Sequence, residues 1–483
     1  MFDSTTTLLW LSAFAACFAL AGIAYSQRHR SDLEDYVVAR NSQGRVATVL
    51  TLLASSLGAW ILFAPAQAAT WGGIAAVTGY ALGALSPRIA MIPLGRRMRT
   101  LIPEGHTLTE FLIVRYGRPM YALTLAIMLF YLFIALSAEI TAMARLVTLI
   151  APIPLWITAA IVMGATLLYT SVGGLRSSIF TDKVQTLVIL PLLLTLMVLG
   201  WRAAGGAAPV IERLHAEAPH LLDPLSVDGL RAGATFFVAI LLTGLFHQGN
   251  WQRVYSARNA RTLTTGFLIG GLLAAPFIFL TGLFGLAWVA LQPGGDASVA
   301  LFAVLLPGAP EWFVIALIPL GLALVMSSAD TAISAVASIV AVDARRLLPD
   351  ASPERLMRYA RWLVLALAVP VMVVAAQGYN VLYLFLLADL LCSAAAFPVF
   401  YGLYDRRLDG RTAFAATLAG LLAGLALFPA PGAPLTWLLE SFLVAALVPV
   451  AVMWLVPRVL RRRGAEFDFA TLERSVRRLD ARP

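Results

Sequence analysis

Residues 323–340 read ALVMSSADTAISAVASIV, a run apolar and long enough to cross a membrane, yet two serines, an aspartate and a threonine crowd its first half. Polar groups in lipid are costly unless something satisfies them, so the cluster asks for a partner. Ser327, Asp330 and Thr331 stand at i, i+3 and i+4 and share one helical face, with Ser328 one position round. Several oxygens on one face suit a hard cation. A serine standing alone would instead bond back to the carbonyl four residues earlier and permit close helix packing. Asp182, in TDKVQ, and Asp330 carry two readings: carboxylates of a cation or proton site, or members of a salt bridge with Lys183, Arg176 or Arg253. Glu139 and Arg145 are six positions apart and cannot pair well on one helix, so each is expected to snorkel or to find a partner elsewhere. Asp389, in ADLLCSAA, reads as a structural helix–helix contact.

The elements that position these groups follow from composition. With 60% hydrophobic and 13% charged residues over 483 positions, the chain has too little polar surface for a water-soluble globule and reads as a polytopic, all-α membrane protein. Windows of roughly 20 apolar residues place about thirteen transmembrane helices, near 6–26, 48–72, 74–95, 119–150, 154–170, 180–200, 231–250, 263–291, 312–342, 360–376, 379–403, 412–428 and 434–457. The first lacks a basic region ahead of it and is followed by Arg28 and Arg30, which is the pattern of a retained anchor rather than a cleaved signal. Arg96, Arg97, Arg99, Arg253, Arg258, Arg345, Arg346, Arg406, Arg407 and Arg461 to Arg463 fall on one side of this arrangement, whereas opposite loops such as 292–311 and 429–433 hold no basic residue. The positive-inside pattern puts the N-terminus outside and the C-terminus in the cytoplasm of a multi-pass cell-membrane protein. Such short clusters encode topology and do not grip nucleic acid. Cys17 and Cys392 lie far apart in apolar runs, which excludes a disulfide framework and a CxxC metal site. No hydrophilic stretch is long enough for a soluble catalytic domain, so function must reside among the helices.

Two spans are ill suited to unbroken helices. The second contains Ala54, Gly58, Pro65 and Gln67; the seventh contains Gly244, then His247, Gln248, Gly249 and Asn250. Proline and glycine interrupt the backbone ladder and leave carbonyls and amides free to hold ions and solute, as in the inverted repeats of secondary transporters. Here the repeats are expected at 48–200 and 201–403, with 1–47 an N-terminal peripheral helix and loop, 404–457 two further peripheral helices, and 458–483 a tail.

Several motifs carry a resemblance. YTSVGGLRSSIFTDKVQTLVIL (169–190), EDYVVARNS (34–42), TLTEFLIVRYG (107–117), WQRVYSARN (251–259) and MSSADTAISA (326–335) are similar, in order and over nearly the whole chain, to segments of the sodium/solute symporter family. The resemblance implies a ten-helix core of two inverted repeats, the fold shared with the leucine transporter, with peripheral helices, and sodium-driven alternating access without enzymatic chemistry or an organic cofactor. It implies a sodium site from the carbonyls of Ala54, Leu57 and Leu324 and the hydroxyls of Ser327 and Ser328. Some members hold a second cation with an aspartate, matched here by Asp182, and hydroxyls one turn below the main site, and in this chain Ser327, Asp330 and Thr331 occupy the corresponding face.

For the solute, the two breaks nominate Trp60, Gln67, Phe246, His247 and Gln248, since an aromatic with an amide suits a small polar molecule. No basic residue is expected at that depth. SSLGAW departs from the family's sugar carriers, which place a glutamine where this chain has Ile61, and His247 replaces an acidic residue common before the family's glutamine. The departures point to an amino acid, a urea-like amide or a short carboxylate; WQRVYSARN is locally similar to the family's urea carriers. Rival readings are a proton-coupled carrier of the same fold, a transporter-like sensor module, for which the tail is too short to be a kinase domain, and an intramembrane protease built on the SSAD cluster beside Asp182. The tail itself could lie on anionic lipid as an amphipathic helix.

Overall fold

The computed structural model describes residues 2–29, 32–292, 294–348, 350–430, 433, 436–459 and 466–479. Arg30 and Arg461 to Arg463 therefore lie outside the described residues. Among the described residues, 11 helices are long and apolar enough to cross a membrane. Two of them, Ala64–Leu101 and Leu155–Ala203, are each a pair of helices joined across a kink, at Gly72 and Gly73 and at Gly174. Gly73 (φ 59°) and Gly174 (φ 55°) adopt the left-handed backbone that lets the chain reverse without a longer loop.

Counting those halves, and joining 64–71 to the short apolar helix before it, gives thirteen spans. They are α1 (Ser4–Arg28), α2 (Arg45–Ala54 and, past a break, 64–71), α3 (74–101), α4 (Arg118–Ile150), α5 (155–173), α6 (175–203) and α7 (Val227–Gly244 and, past a break, Gln248–Ser256). There follow α8 (Ala260–Leu291), α9 (Glu311–Leu347), α10 (Pro353–Ala376), α11 (Val381–Tyr401), α12 (Gly410–Leu427) and α13 (Leu438–Val459). Helix α10 begins seven residues before its expected start at 360, because Ser352 caps the Arg355 amide and Pro353 stands in the first turn.

The two broken spans cross the bundle in opposite directions. Gln43, just before α2, accepts from the Arg258 amide and donates to the Ser256 carbonyl at the end of α7, both at 2.9 Å, so the start of one meets the finish of the other. At the opposite face Gly73, where α2 ends, abuts Leu221 in the connection that leads into α7.

Arginines tie the basic face together by satisfying carbonyls that helix ends leave free. Arg99 donates to the Ala257 carbonyl (2.7 Å) and Arg115 to the Asp405 carbonyl (2.7 Å). Residues 466–479 fold back onto this face: the Arg115 guanidinium lies 4.7 Å from the Phe467 ring centre, Arg97 lies 5.2 Å from that of Phe469, and Arg478 pairs with Glu104 at 3.4 Å. This corrects the expectation of an amphipathic tail on lipid for the described residues 466–479: Phe469, Leu472, Val476 and Leu479 are buried against protein, and the helix among them is Ala470–Ser475.

Candidate cation and solute site

The break in α2 runs from Ser55 to Phe63, through an extended Gly58 (φ −82°, ψ 175°) and a short 3-10 turn at Ala59–Leu62. The Ala54 carbonyl accepts from the Leu57 amide at 3.1 Å. Glu139 of α4 reaches across, and its Oε2 accepts from the Ala59 amide at 2.8 Å. A Cβ on residue 58 would fall 1.8 Å from Glu139 Oε1, so the carboxylate can sit over the break only because that residue is glycine. Glu139 thus does not snorkel: it is 4% exposed, and a helix end inside the bundle supplies the amide it needs. Arg145 does find its partner elsewhere, pairing with Asp296 at 3.1 Å at the opposite mouth. The pairing of an acid in mid-span with orphan amides at a break was the signal available in the sequence for Glu139.

On α9, Ser328 donates to the Leu324 and Val325 carbonyls, both at 3.1 Å. Ser327 turns away from the break and donates to Asp182 Oδ1 at 2.6 Å. Asp182 also accepts from the Thr51 hydroxyl and pairs with the Arg253 guanidinium at 3.1 Å, their side chains 0% and 1% exposed. Arg253 donates further to Thr331 Oγ1 (2.9 Å) and Thr51 Oγ1 (3.1 Å). Asp182 and Thr331, two of the four residues expected at a second cation site, therefore already meet a guanidinium. Arg176 pairs instead with Asp35 at 2.5 Å. Asp330 accepts from the hydroxyls of Ser178 (2.6 Å), Tyr169 (2.7 Å) and Thr181 (3.0 Å), and no basic side chain pairs with it among the described residues.

A cavity of about 130 Å³ lies between the two breaks. Ser55, Ser56 and Trp60 line it from α2, Thr243 and His247 from α7, Ser328 and Thr331 from α9. Trp60 stacks on Tyr80 (centroids 5.7 Å apart) and meets Phe385 edge-on (6.1 Å); His247 meets Tyr131 edge-on (5.8 Å).

Of the residues expected to touch solute, the structure brings Trp60 and His247 to this cavity and not Gln67, Phe246 or Gln248. Gln67 lies nearly two helical turns beyond Trp60. Phe246 and Gln248 flank His247, and successive residues at a helix start point in different directions. Phe246 packs on Phe400, and the Gln248 amide bonds the Leu108 amide (3.1 Å) and His106 carbonyl (2.9 Å). Three charged side chains line the cavity that were not assigned to it: Glu139, Asp389 and Arg88. Arg88 corrects the expectation of no base at this depth; its Nε donates to the Ser56 hydroxyl at 3.2 Å. An arginine within a span was itself the available signal.

Below the site, at the basic face, His106 sits between two carboxylates, 2.8 Å from Glu34 and 3.2 Å from Glu110, and Arg40 pairs with Glu34 at 2.6 Å. Burial alone would lower the His106 pKa, but Glu110 and Glu34 outweigh it and hold the ring up at about 9. Burial would raise Glu34, yet His106 and Arg40 bring it down to about 2. The cluster joins the connection before α2, the loop after α3 and, through Gln248, the lower half of α7.

A family model described as the sodium:solute symporter family matches residues 36–420. Among curated proteins, a spermidine transporter of Candida albicans is 25% identical over 403 residues, covering 82% of this chain and 75% of that protein. The sodium/pantothenate symporter of Escherichia coli is 26% identical over 275 residues (53% of this chain, 55% of that protein), and an osmoregulated proline transporter of Bacillus subtilis is 24% identical over 371 residues (71% and 73%). The chain thus spans between about half and three quarters of the length of these relatives. In fold it resembles a sodium-coupled sialic acid symporter solved in a substrate-bound outward-open state, with a TM-score of 0.77 at 16% identity, covering 95% of this chain and 99% of that one. A nucleobase-cation-symport-1 family transporter aligns with a TM-score of 0.57 at 15% identity, covering 91% and 98%.

Proposed function

The chain belongs to the sodium:solute symporter family, and from that premise we propose that it is a sodium-coupled symporter that imports a small polar organic solute by alternating access. The observation that carries the reading is the pair of broken spans, opposed in direction and five spans apart, that face one cavity. Sodium is held by the carbonyls of Ala54, Leu57 and Leu324 and the hydroxyls of Ser327 and Ser328, with Ser327 turning from Asp182 to reach it. One sodium suffices, because Arg253 supplies the positive charge that a second cation would bring to Asp182 and Thr331.

The solute occupies the cavity beside Trp60 and His247. The relatives' names, which include spermidine, pantothenate and proline, support a small polar organic molecule without selecting one. The repeats comprise 48–200 and 201–403, and the basic face is cytoplasmic, which puts the N-terminus outside. Uptake into proteoliposomes of labelled amino acids, amides, short carboxylates and amines, with an inward sodium gradient, a proton gradient or neither, tests the reading. Sodium should drive uptake and lower the apparent solute dissociation constant, and solute should lower that of sodium by the same factor. Equal uptake on a proton gradient without sodium would overturn it.

A further inference from the structure

We propose that the cavity between the broken spans takes a solute bearing an alkylammonium group, held between the carboxylates of Glu139 and Asp389; this rests on the solute-site reading above. Both line the cavity, and they are 4% and 6% exposed. Among the described residues neither has a basic partner. Other buried acids are differently placed: Asp182 has Arg253, Glu34 and Glu110 have His106, and Asp330 accepts from four hydroxyls and does not line the cavity.

Glu139 takes the Ala59 amide and has the Trp60 amide and the Ser328 hydroxyl beside it, and Asp389 has the Thr243 hydroxyl beside its carboxylate, so the donors to both are neutral. Two buried carboxyl groups share this space with a single guanidinium, Arg88, so ionising both leaves one negative charge uncompensated, and a cation that arrives with the solute neutralises it only in the bound state. The remaining wall fits an ammonium as well. Trp60, Tyr80, Tyr131 and Phe385 surround the same space, and aromatic faces attract alkylammonium ions once water is excluded. A cavity near 130 Å³ suits a small solute rather than an extended one.

Arg88 distinguishes two sources of that ammonium. Its guanidinium is bonded to Ser56 and opens on the same cavity, so a zwitterion could place its carboxylate there, whereas a diamine would leave it unused. The purified full-length chain is titrated calorimetrically in detergent, in sodium chloride and in potassium chloride, with L-alanine, glycine betaine, 1,4-diaminobutane, urea and lactate. Sodium-dependent binding is expected for an ammonium-bearing probe and not for urea or lactate. Glu139→Gln, which keeps an acceptor for the Ala59 amide, and Asp389→Asn should each weaken it by about 10- to 100-fold, the loss of one charged hydrogen bond or, for the quaternary glycine betaine, one ion contact. Because Glu139 also caps the break, Asp389→Asn at an unchanged melting temperature is the decisive variant. Arg88→Gln should weaken the zwitterions alone if a zwitterion is the ligand, and leave the diamine untouched. Tight binding of urea or lactate that survives both acid substitutions would overturn the ammonium assignment while leaving symport intact. Sodium binding with no response to any ammonium probe would overturn it too, and failure to bind sodium at all would instead remove the symport reading beneath it.

Discussion

Replacing Arg253 with glutamine tests whether a guanidinium holds the place of a second cation. The side chain is 1% exposed, pairs with Asp182 at 3.1 Å, and donates to Thr331 (2.9 Å), Thr51 (3.1 Å) and the Gly249 carbonyl (3.4 Å). Removing one partner of a buried pair costs about 3–5 kcal/mol, because the other charge is stranded. Asp182→Asn should cost a similar amount by stranding Arg253. The double variant strands neither, so its loss should fall short of the sum of the singles by at least about 2 kcal/mol, the signature of direct coupling. Unfolding in mixed micelles with increasing dodecyl sulfate reads the stability of all four proteins. Sodium dependence of uptake at matched protein levels reads the second half of the reasoning. The parent should give a Hill coefficient near one, and Arg253→Gln, by releasing the oxygens of Asp182 and Thr331, should raise it. Additive single variants would refute the coupling, and a parent Hill coefficient near two would refute the one-sodium reading outright.

Ser328→Ala removes a hydroxyl proposed for the main sodium site and should weaken sodium affinity and uptake together, whereas Trp60→Ala should change solute affinity and leave sodium binding measured without solute intact; the reverse pattern would exchange their roles. Gln248→Ala should lower the melting temperature without altering solute affinity, since its amide bonds the Leu108 amide and His106 carbonyl outside the cavity; a solute-affinity loss at unchanged melting temperature would return it to the pocket. His106, held at about 9 against an ordinary 6.5, contributes stability that is fully present below pH 6.5 and lost as pH rises through 9, roughly 3 kcal/mol in all; a melting temperature flat from pH 6.5 to 9.5 would show that the cluster does not hold the basic face.

How much could be read before any coordinate follows from the range of each interaction. A span announces itself locally, by an apolar run matched to bilayer thickness, so the thirteen segments were legible, down to the breaks at Gly58 and Gly244. So was the cluster at Ser327 to Thr331, because helical spacing alone puts its oxygens on one face. Side-chain partners across the bundle were not legible. Glu139, Arg88 and Asp389 lie on three different helices, and nothing in the runs around them says that they open on the same space. Phe246, His247 and Gln248 are adjacent in sequence, yet only the middle one faces the cavity, because the direction of each side chain depends on where the second half of α7 restarts. Arg253 is one of three bases that the sequence offers to Asp182 or Asp330, but that it takes Asp182 and leaves Asp330 to hydroxyls is decided only in the assembled bundle. Hydropathy and periodicity are properties of consecutive residues; the neutralisation of a buried charge depends on which helices pack against it, and that is settled only in the assembled bundle.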